Sequence, residues 1–214
     1  QGMVKVDVNE HDSLTYKAAE LAYTRGNDKQ ATDGFTKYLN QFPNGAYVID
    51  TRYYLGCIHY KQNDYDDARQ HLQFVAGQRN SKYCEEATRM VADMAYNHKD
   101  YTLAMTSYGS LIDITDNPST KLHAQIHRLR SARALGNQDV IMKETGAVLA
   151  NSMLAPETSN ELRYYRAKIY LDKKRNDAAI EDLKQLSGDT RNVYGAEAKY
   201  LLAQLYYNTG NYDK

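Results

Sequence analysis

Tryptophan is missing from this sequence of 214 residues, and proline and cysteine occur only three times and twice. Because proline interrupts helix interiors, its scarcity favours long helices. Cys57 and Cys84 are too few for a disulfide framework, and neither lies in a CxxC pair. The low cysteine count therefore gives no indication of compartment.

A net charge is also missing, since 27 Lys and Arg residues balance 27 Asp and Glu residues. This balance argues against a nucleic-acid binder, for which a basic surplus is expected. No run approaches about 18 consecutive apolar residues, and residues 1–12 lack the basic start and apolar stretch of a signal peptide. This segment is therefore expected neither to insert directly into a membrane nor to carry its own export signal.

What the chain does contain is an internal repeat. The segment from Leu55 to Ala68 recurs in weaker form from Val91 to Ala104 and from Leu202 to Tyr212. The residue that follows the turn of each copy is Ala31, Ala68, Ala104, Ile141 or Ala179, at spacings of 37, 36, 37 and 38 residues. A fixed period in this range predicts a repeat architecture.

The pattern resembles the tetratricopeptide repeat (TPR), a helix-turn-helix unit of about 34 residues with small residues at its positions 8 and 20. Assigning the residues above to position 20 puts Ala19, Gly56, Ala92, Leu129, Ala167 and Ala203 at position 8. The resemblance implies an all-α fold, a right-handed TPR superhelix (α-solenoid) of about five and a half helix-turn-helix repeats. Its open concave face would be formed mainly by the first helix of each repeat.

The register divides the chain into an N-terminal tail at residues 1–11 and a TPR array at 12–214. The repeats lie near 12–48, 49–84, 85–121, 122–159 and 160–195, with a partial repeat at 196–214. Turns are expected at Gly26-Asn27, Asn63-Asp64, Lys99-Asp100, Gly136-Asn137 and Gly210-Asn211, and all but Lys99-Asp100 have the residues of a helix stop. Because the last helix lacks a partner helix, we expect the sequence to be part of a longer repeat protein.

Repeat 4 departs from the pattern. It has Leu129 and Ile141 at both crossing positions, and Thr145 stands at position 24, where an aromatic residue or leucine is usual. Bulky side chains at a helix crossing hold the two backbones apart. We therefore predict wider helix spacing in this repeat than in the repeat that contains Gly56 and Ala68.

Catalytic patterns are nearly absent. His123 and His127, one turn apart, could hold a zinc ion, but no third ligand stands nearby in sequence, and a pair of solvent-facing histidines is the simpler interpretation. Cys57 is interpreted as a small packing residue rather than a groove thiol. No phosphate-loop, dinucleotide or nucleophile-elbow motif is present. We predict no enzyme activity, no catalytic residues, no metal site and no cofactor.

Binding is better supported, because the TPR register implies which residues of each first helix line the concave face. Rigid aromatic side chains with a hydroxyl group suit protein recognition, although tyrosine can equally pack within the scaffold. Arginines and lysines between Lys121 and Arg133, without an acidic residue, predict a positive middle that would anchor an acidic group of the partner. The predicted peptide- or protein-binding residues are Tyr16, Tyr23, Tyr53, Tyr60, Arg89, Tyr96, His123, Arg130, Arg133, Tyr164, Lys168, Tyr200 and Tyr207.

One segment suggests a branch of the family. The motif from Phe35 through Phe42-Pro43 to Tyr47, followed by Tyr54-Leu55-Gly56, resembles the bacterial extracytoplasmic branch. That branch includes the outer-membrane assembly lipoprotein and the Tol-system coordinator, and serine is usual there in place of Gly45. We therefore expect a protein-interaction scaffold in a bacterial envelope complex, in the periplasm or at the outer membrane. A cytoplasmic assembly or regulatory adaptor and an accessory repeat domain of a larger enzyme remain the alternatives.

Overall fold

The computed structural model describes residues 8–188, 191–208 and 210, and within this part the chain forms eleven α-helices and no strand. The helices are α1 (Val8–Thr24), α2 (Asp28–Gln41), α3 (Val48–Lys61), α4 (Tyr65–Ala76), α5 (Cys84–Asn97), α6 (Tyr101–Ile114), α7 (Pro118–Ala134), α8 (Gln138–Leu149), α9 (Pro156–Asp172), α10 (Asn176–Ser187) and α11 (Gly195–Asn208). Odd-numbered helices are the first helices of the repeats, and even-numbered helices are the second. The predicted all-α fold with about five and a half repeats is confirmed.

The contacts divide the chain into two compact units. Unit 1 extends to Thr115 and contains α1 to α6, and unit 2 begins at Asp116 and contains α7 to α11. Within unit 1, α1 begins at Val8, four residues before the predicted start of the TPR array at residue 12. Among the described residues, no helix combines the length and apolarity needed to cross a membrane.

Small residues lie at the helix crossings, as the register predicted. The position-20 alanines of repeats 1, 2, 3 and 5 are fully buried. At Gly56 of α3, an added Cβ atom would lie 2.6 Å from both Cγ and Cδ2 of Leu72 on α4. Because real Cβ atoms do not approach other heavy atoms this closely, α3 and α4 are packed at a distance that only glycine allows.

The turns between paired helices share one backbone feature, a residue in the left-handed region. Gly26, Gly136 and Gly210 have φ angles of 75°, 67° and 73°. Asn63, Lys99 and Lys174 adopt the same conformation with φ of 57°, 63° and 56°. The four turns that were predicted from a glycine or asparagine are therefore confirmed at Gly26, Asn63, Gly136 and Gly210. Asn211, the second residue of the last predicted turn, lies outside the described residues. The turns at Lys99 and Lys174 therefore adopt this conformation without a glycine or asparagine.

Repeat 4 is more loosely paired. The backbones of α7 and α8 approach each other closely at fewer positions than the two helices of any other complete repeat, which confirms the predicted wider spacing. Thr145 is fully buried there, and its hydroxyl group has no hydrogen-bond partner. It lines a small cavity together with Leu129, Ile141 and Leu162. Bulky crossing residues and a small residue at position 24 therefore leave space between the helices.

Candidate protein-binding site

A tyrosine on the first helix of three repeats stacks on a tyrosine that precedes the next first helix. The rings of Tyr16 and Tyr47 are 4.3 Å apart at 7°, and those of Tyr53 and Tyr83 are 4.0 Å apart at 16°. In unit 2, Tyr164 stacks on Tyr194 at 4.6 Å and 25°. We call these three contacts the tyrosine ladder. They join each of these first helices to the segment that leads into the next first helix, so part of the predicted groove tyrosines belongs to the scaffold.

Tyr16 has to be corrected as a binding residue. Its side chain is only 4% exposed and packs against Phe35 and Tyr38 as well as Tyr47. Its hydroxyl group donates a 2.7 Å hydrogen bond to Glu20 on the same helix. Burial, followed by this hydrogen bond, raises the pKa of Tyr16 far above its ordinary value. The ring is covered on all sides by repeat 1 and the start of repeat 2 and cannot present a surface to a partner.

Three predicted tyrosines of unit 1 are half-buried and lie close together on α1 and α3, and we call Tyr23, Tyr53 and Tyr60 the tyrosine face. Lys61 lies over the Tyr23 ring, 5.1 Å from its centre. Burial and the neighbouring Cys57 raise the pKa of Tyr53, so its hydroxyl group stays protonated and can donate a hydrogen bond at any physiological pH.

Cys57 lies between the members of the tyrosine face and is buried. Burial raises the pKa of its thiol, which outweighs the opposing effect of Tyr53 and Lys61. A thiol that resists ionisation is a poor nucleophile. The interpretation of Cys57 as a packing residue is therefore confirmed.

A cleft of about 120 Å³ adjoins the tyrosine face at the end of repeat 2. Tyr60 forms one wall, and Asn63, Met94 and His98 contribute to the others. An aromatic wall, a methionine and side-chain hydrogen-bonding groups within one cleft provide the mixed contacts that recognise a protein side chain.

The two other predicted residues of unit 1 lie on α5. Arg89 donates hydrogen bonds to Glu86 at 2.6 Å and 3.0 Å and to Asp93 at 3.0 Å. These carboxylates bind the guanidinium group along the surface of α5. The hydrogen bond to Glu86 is the main cause of the raised pKa of Arg89. Tyr96 packs edge-on against Tyr101 and Tyr108. Arg89 is therefore surrounded by acidic residues and does not contribute to the positive surface that the sequence predicted.

The arginines of unit 2 share one carboxylate. Arg130 on α7 binds Glu161 on α9 through two nitrogens, with a shortest distance of 2.7 Å. Arg133 lies 3.6 Å from the other Glu161 oxygen, and its guanidinium stacks 3.6 Å from the centre of the Tyr165 ring. Both guanidinium groups thus contact the same carboxylate, and the side chain of Arg133 is half-exposed. We call Arg130, Arg133, Glu161 and Tyr165 the arginine site.

The remaining predicted residues of unit 2 lie on α7, α9 and α11. His123 and His127 stack with ring centres 4.1 Å apart. The ammonium group of Lys168 lies 3.8 Å from the carboxylate of Glu197. Burial, followed by a hydrogen bond to Glu197, raises the pKa of Tyr164 to about 12. The side chains of Tyr200 and Tyr207 on α11 are 62% and 69% exposed.

Sequence reasoning missed the partners of these residues. Tyr47, Tyr83 and Tyr194 follow their ladder partners by 31, 30 and 30 residues, a spacing that was visible in the sequence. Glu161 carries no comparable signal, because nothing in the sequence shows that the start of α9 reaches the arginines of α7.

Antiparallel helix pairs at a regular period, with aromatic and charged residues on their first helices, define a helical repeat protein of the interaction-scaffold class. One tetratricopeptide repeat model matches residues 53–117 and 164–214, more than half of the chain, and a second matches residues 12–45. The chain therefore belongs to the tetratricopeptide repeat family, whose members bind protein partners.

Three solved structures are similar to this chain. Yeast Tom70 is 19% identical over 96% of this chain, with a TM-score of 0.48, and the chain covers 42% of Tom70. Two crystal structures of TPR-like repeats ascribed to a kinesin light chain of Podospora anserina are 13% and 12% identical over 84% and 96% of this chain. Their TM-scores are 0.46 and 0.47, and 95% and 99% of those chains are covered. No curated protein sequence matches the chain.

Proposed function

We propose that this chain is a non-catalytic scaffold that binds a protein or peptide segment of a partner through the first helices of its repeats. The observation that carries the proposal is the tyrosine face, where the Tyr23 and Tyr53 rings are held by ring contacts that the scaffold itself provides and Tyr60 packs against the buried core of repeat 2. Rings that are already ordered lose little conformational entropy when a partner binds. The protonated hydroxyl group of Tyr53 can then add a directional hydrogen bond to an apolar contact.

The arginine site indicates the chemistry of one partner group. Arg130 and Arg133 both contact the Glu161 carboxylate, and the side chain of Arg133 is half-exposed. A carboxylate from a partner, either an acidic side chain or a chain terminus, would form a charge-assisted hydrogen bond with Arg133. Arg133 is the accessible donor for it, since stacking on Tyr165 fixes its guanidinium plane while leaving its edge open. This proposal keeps the predicted acidic anchor but places it beside an existing ion pair.

We propose the bacterial envelope as the setting of this function. The support is the resemblance of the Phe35–Gly56 segment to the extracytoplasmic branch of the family. An export or lipoprotein signal ahead of Gln1 in the complete gene would support this setting. A complete gene without such a signal would favour the cytoplasmic adaptor, and a catalytic domain in the same gene would favour the accessory-domain alternative.

The binding proposal is tested with a defined probe. A displayed library of random peptides of about twelve residues is selected on the immobilised chain, and the affinity of the enriched peptides is measured by fluorescence anisotropy. Tyr60→Ala is expected to raise the Kd by about tenfold, the effect of a binding aromatic worth about 1.4 kcal/mol. Arg133→Ala is expected to weaken the acidic peptides selectively.

Two matched variants control this experiment. Phe74→Ala removes a partly exposed aromatic from the second helix of the same repeat, and Lys184→Ala removes an exposed positive charge from α10. Both are expected to leave the Kd unchanged. Enriched peptides that bind all four variants as tightly as the parent chain would refute binding at the first helices.

A further inference from the structure

Three potential metal ligands meet at the turn between α3 and α4. His59 lies in the last turn of α3, Asp64 lies in the turn, and Asp67 lies in the first turn of α4. One donor atom from each of these residues lies within 4.8 Å of the other two. Among the described residues, this is the one group of three or more His, Cys, Asp or Glu side chains with that geometry.

His59 presents an unused donor atom to this group. Its Nδ1 atom is buried and has no hydrogen-bond partner, although it lies 3.3 Å from Oδ2 of Asp64. Leaving a buried imidazole nitrogen without a partner is costly, so such an atom calls for an explanation. A metal ion between the imidazole and the carboxylate supplies one, because both atoms then bind the ion instead of each other.

Asp64 provides a second, independent observation. It occupies the N-cap position of α4, but its side chain accepts no hydrogen bond from the first turn of that helix. The residues at the same position of other repeats do cap: Asn27 accepts from Gln30, and Asp100 accepts from Leu103. Aspartate is a preferred N-cap residue, so its failure to cap shows that the carboxylate is directed elsewhere, toward His59.

We propose that His59, Asp64 and Asp67 bind a first-row divalent cation of the Zn²⁺ type. One imidazole nitrogen and two carboxylates match the ligand preferences of such ions, and two negative charges balance the ion. Ligand atoms on one Zn²⁺ ion lie within about 4.4 Å of each other, so a small movement of the exposed Asp67 side chain completes the set. A water molecule fills the remaining position, and the ion links the two helices of repeat 2 at their turn.

The experiment is a calorimetric titration of the untagged chain with ZnCl₂ near neutral pH, in a buffer that does not bind zinc. Saturable binding of one ion per chain is expected. Asp67→Asn should raise the Kd by about tenfold or more because it removes a ligand. Asp66→Asn is the matched control: it removes the same charge from the neighbouring exposed position of the same helix turn and should change the Kd by no more than about twofold.

Circular dichroism on both variants confirms that the fold is retained, and the exposure of both aspartates makes this the expected result. Three outcomes would overturn the proposal. The parent chain could show no saturable zinc binding, which would leave only the His59–Asp64 pair. The two aspartate variants could weaken binding equally. Zinc binding could also be lost in a His123→Gln, His127→Gln double variant and kept in Asp67→Asn, which would place the ion on α7.

Discussion

Gly45 shows at the scale of one residue how close packing in repeat 1 excludes a side chain. A Cβ atom there would clash with the hydroxyl oxygen of Tyr38 and would lie 2.9 Å from the Cβ of Phe42 and 3.1 Å from Oδ2 of Asp12. These neighbours are held in place, since Tyr38 accepts a hydrogen bond from the Tyr47 amide and Asp12 accepts one from the Ala46 amide. Serine, which is usual in the extracytoplasmic branch, does not fit this arrangement.

Gly45→Ser is therefore expected to lower the free energy of unfolding by about 1–3 kcal/mol through overpacking. Urea unfolding followed by circular dichroism measures the change. Gly77→Ser is the control, because its Cβ would lie at an ordinary contact distance of 3.4 Å from its nearest neighbour, the backbone oxygen of Phe74. This variant should change stability by less than about 0.5 kcal/mol. Equal effects of the two variants would contradict the packing argument.

Lys174 is a second residue whose conformation has a measurable cost. Its φ of 56° places a side chain in the left-handed region, where a residue other than glycine is strained by roughly 1–2 kcal/mol. Lys174→Gly is expected to raise the free energy of unfolding by about 0.5–1 kcal/mol, after the entropy cost of glycine in the unfolded chain. Thermal unfolding monitored at 222 nm gives the comparison.

The adjacent Lys173 provides the opposite expectation. Its φ of −87° is ordinary, so Lys173→Gly should lower the free energy of unfolding by about 0.5–1 kcal/mol. If both variants destabilised the chain, strain at Lys174 would not be the controlling factor.

At the scale of the helices, first helices of unit 1 are joined by polar contacts, as well as by the tyrosine ladder, to the segment that follows the second helix. Carboxylates in the first turns of first helices accept hydrogen bonds from the segment that follows the second helix. Asp50 accepts from the Tyr83 hydroxyl group at 3.0 Å, and Glu85 accepts from Thr115 at 2.7 Å. In unit 2 the corresponding acidic residues Glu161 and Glu197 instead bind cations of the preceding first helix. Each repeat thus depends on its neighbour for part of its polar bonding.

The ladder contact between Tyr53 and Tyr83 is expected to couple α3 to α5. In a double-mutant cycle with leucine at both positions, the coupling energy should be about 0.5–1.5 kcal/mol, the range measured for aromatic pairs. Denaturant unfolding of the four proteins provides this value. The pair Tyr53 and Tyr101, which has no ring contact, should show a coupling below about 0.5 kcal/mol. A similar coupling in both cycles would mean that the stacked geometry contributes nothing specific.

At the scale of the whole molecule, stability in a repeat protein is a sum of local terms, because each repeat contacts mainly its neighbours. Leu183 is fully buried in the core formed by α9, α10 and α11. Leu183→Ala should lower the free energy of unfolding by about 2–5 kcal/mol. The loss of stability should be confined to the helices that form this core. Amide hydrogen exchange is therefore expected to accelerate in α9 to α11 and to remain unchanged in α1 to α4.

Leu72→Ala provides the converse test, since Leu72 is fully buried in the core of repeat 2. Exchange should then accelerate in α3 to α5 and remain unchanged in α9 to α11. A uniform loss of protection across all helices in either variant would show that the chain unfolds as one cooperative body.

The sequence by itself determined the class of fold and the register. Period, crossing residues and turn residues depend on local geometry, and the buried Ala31, Ala68 and Ala104 lie at the predicted crossings. It also determined which residues belong to first helices, so every predicted binding residue lies on one. A helical repeat makes these properties readable because each unit is specified by residues close together in the chain.

Only the tertiary structure decided which of those residues are accessible and how their charges are used. Tyr16 and Tyr53 occupy the same position of their repeats, yet Tyr16 is 4% exposed and Tyr53 is only half-buried. The difference arises from what packs against each ring, since Phe35 and Tyr38 contact Tyr16 in addition to the stacked Tyr47. Likewise, the sequence around Arg130 predicts a positive surface, but in the folded chain Glu161 on α9 forms an ion pair with this arginine. Exposure and ion pairing depend on neighbours about 30 residues away, and a position within a repeat does not specify them.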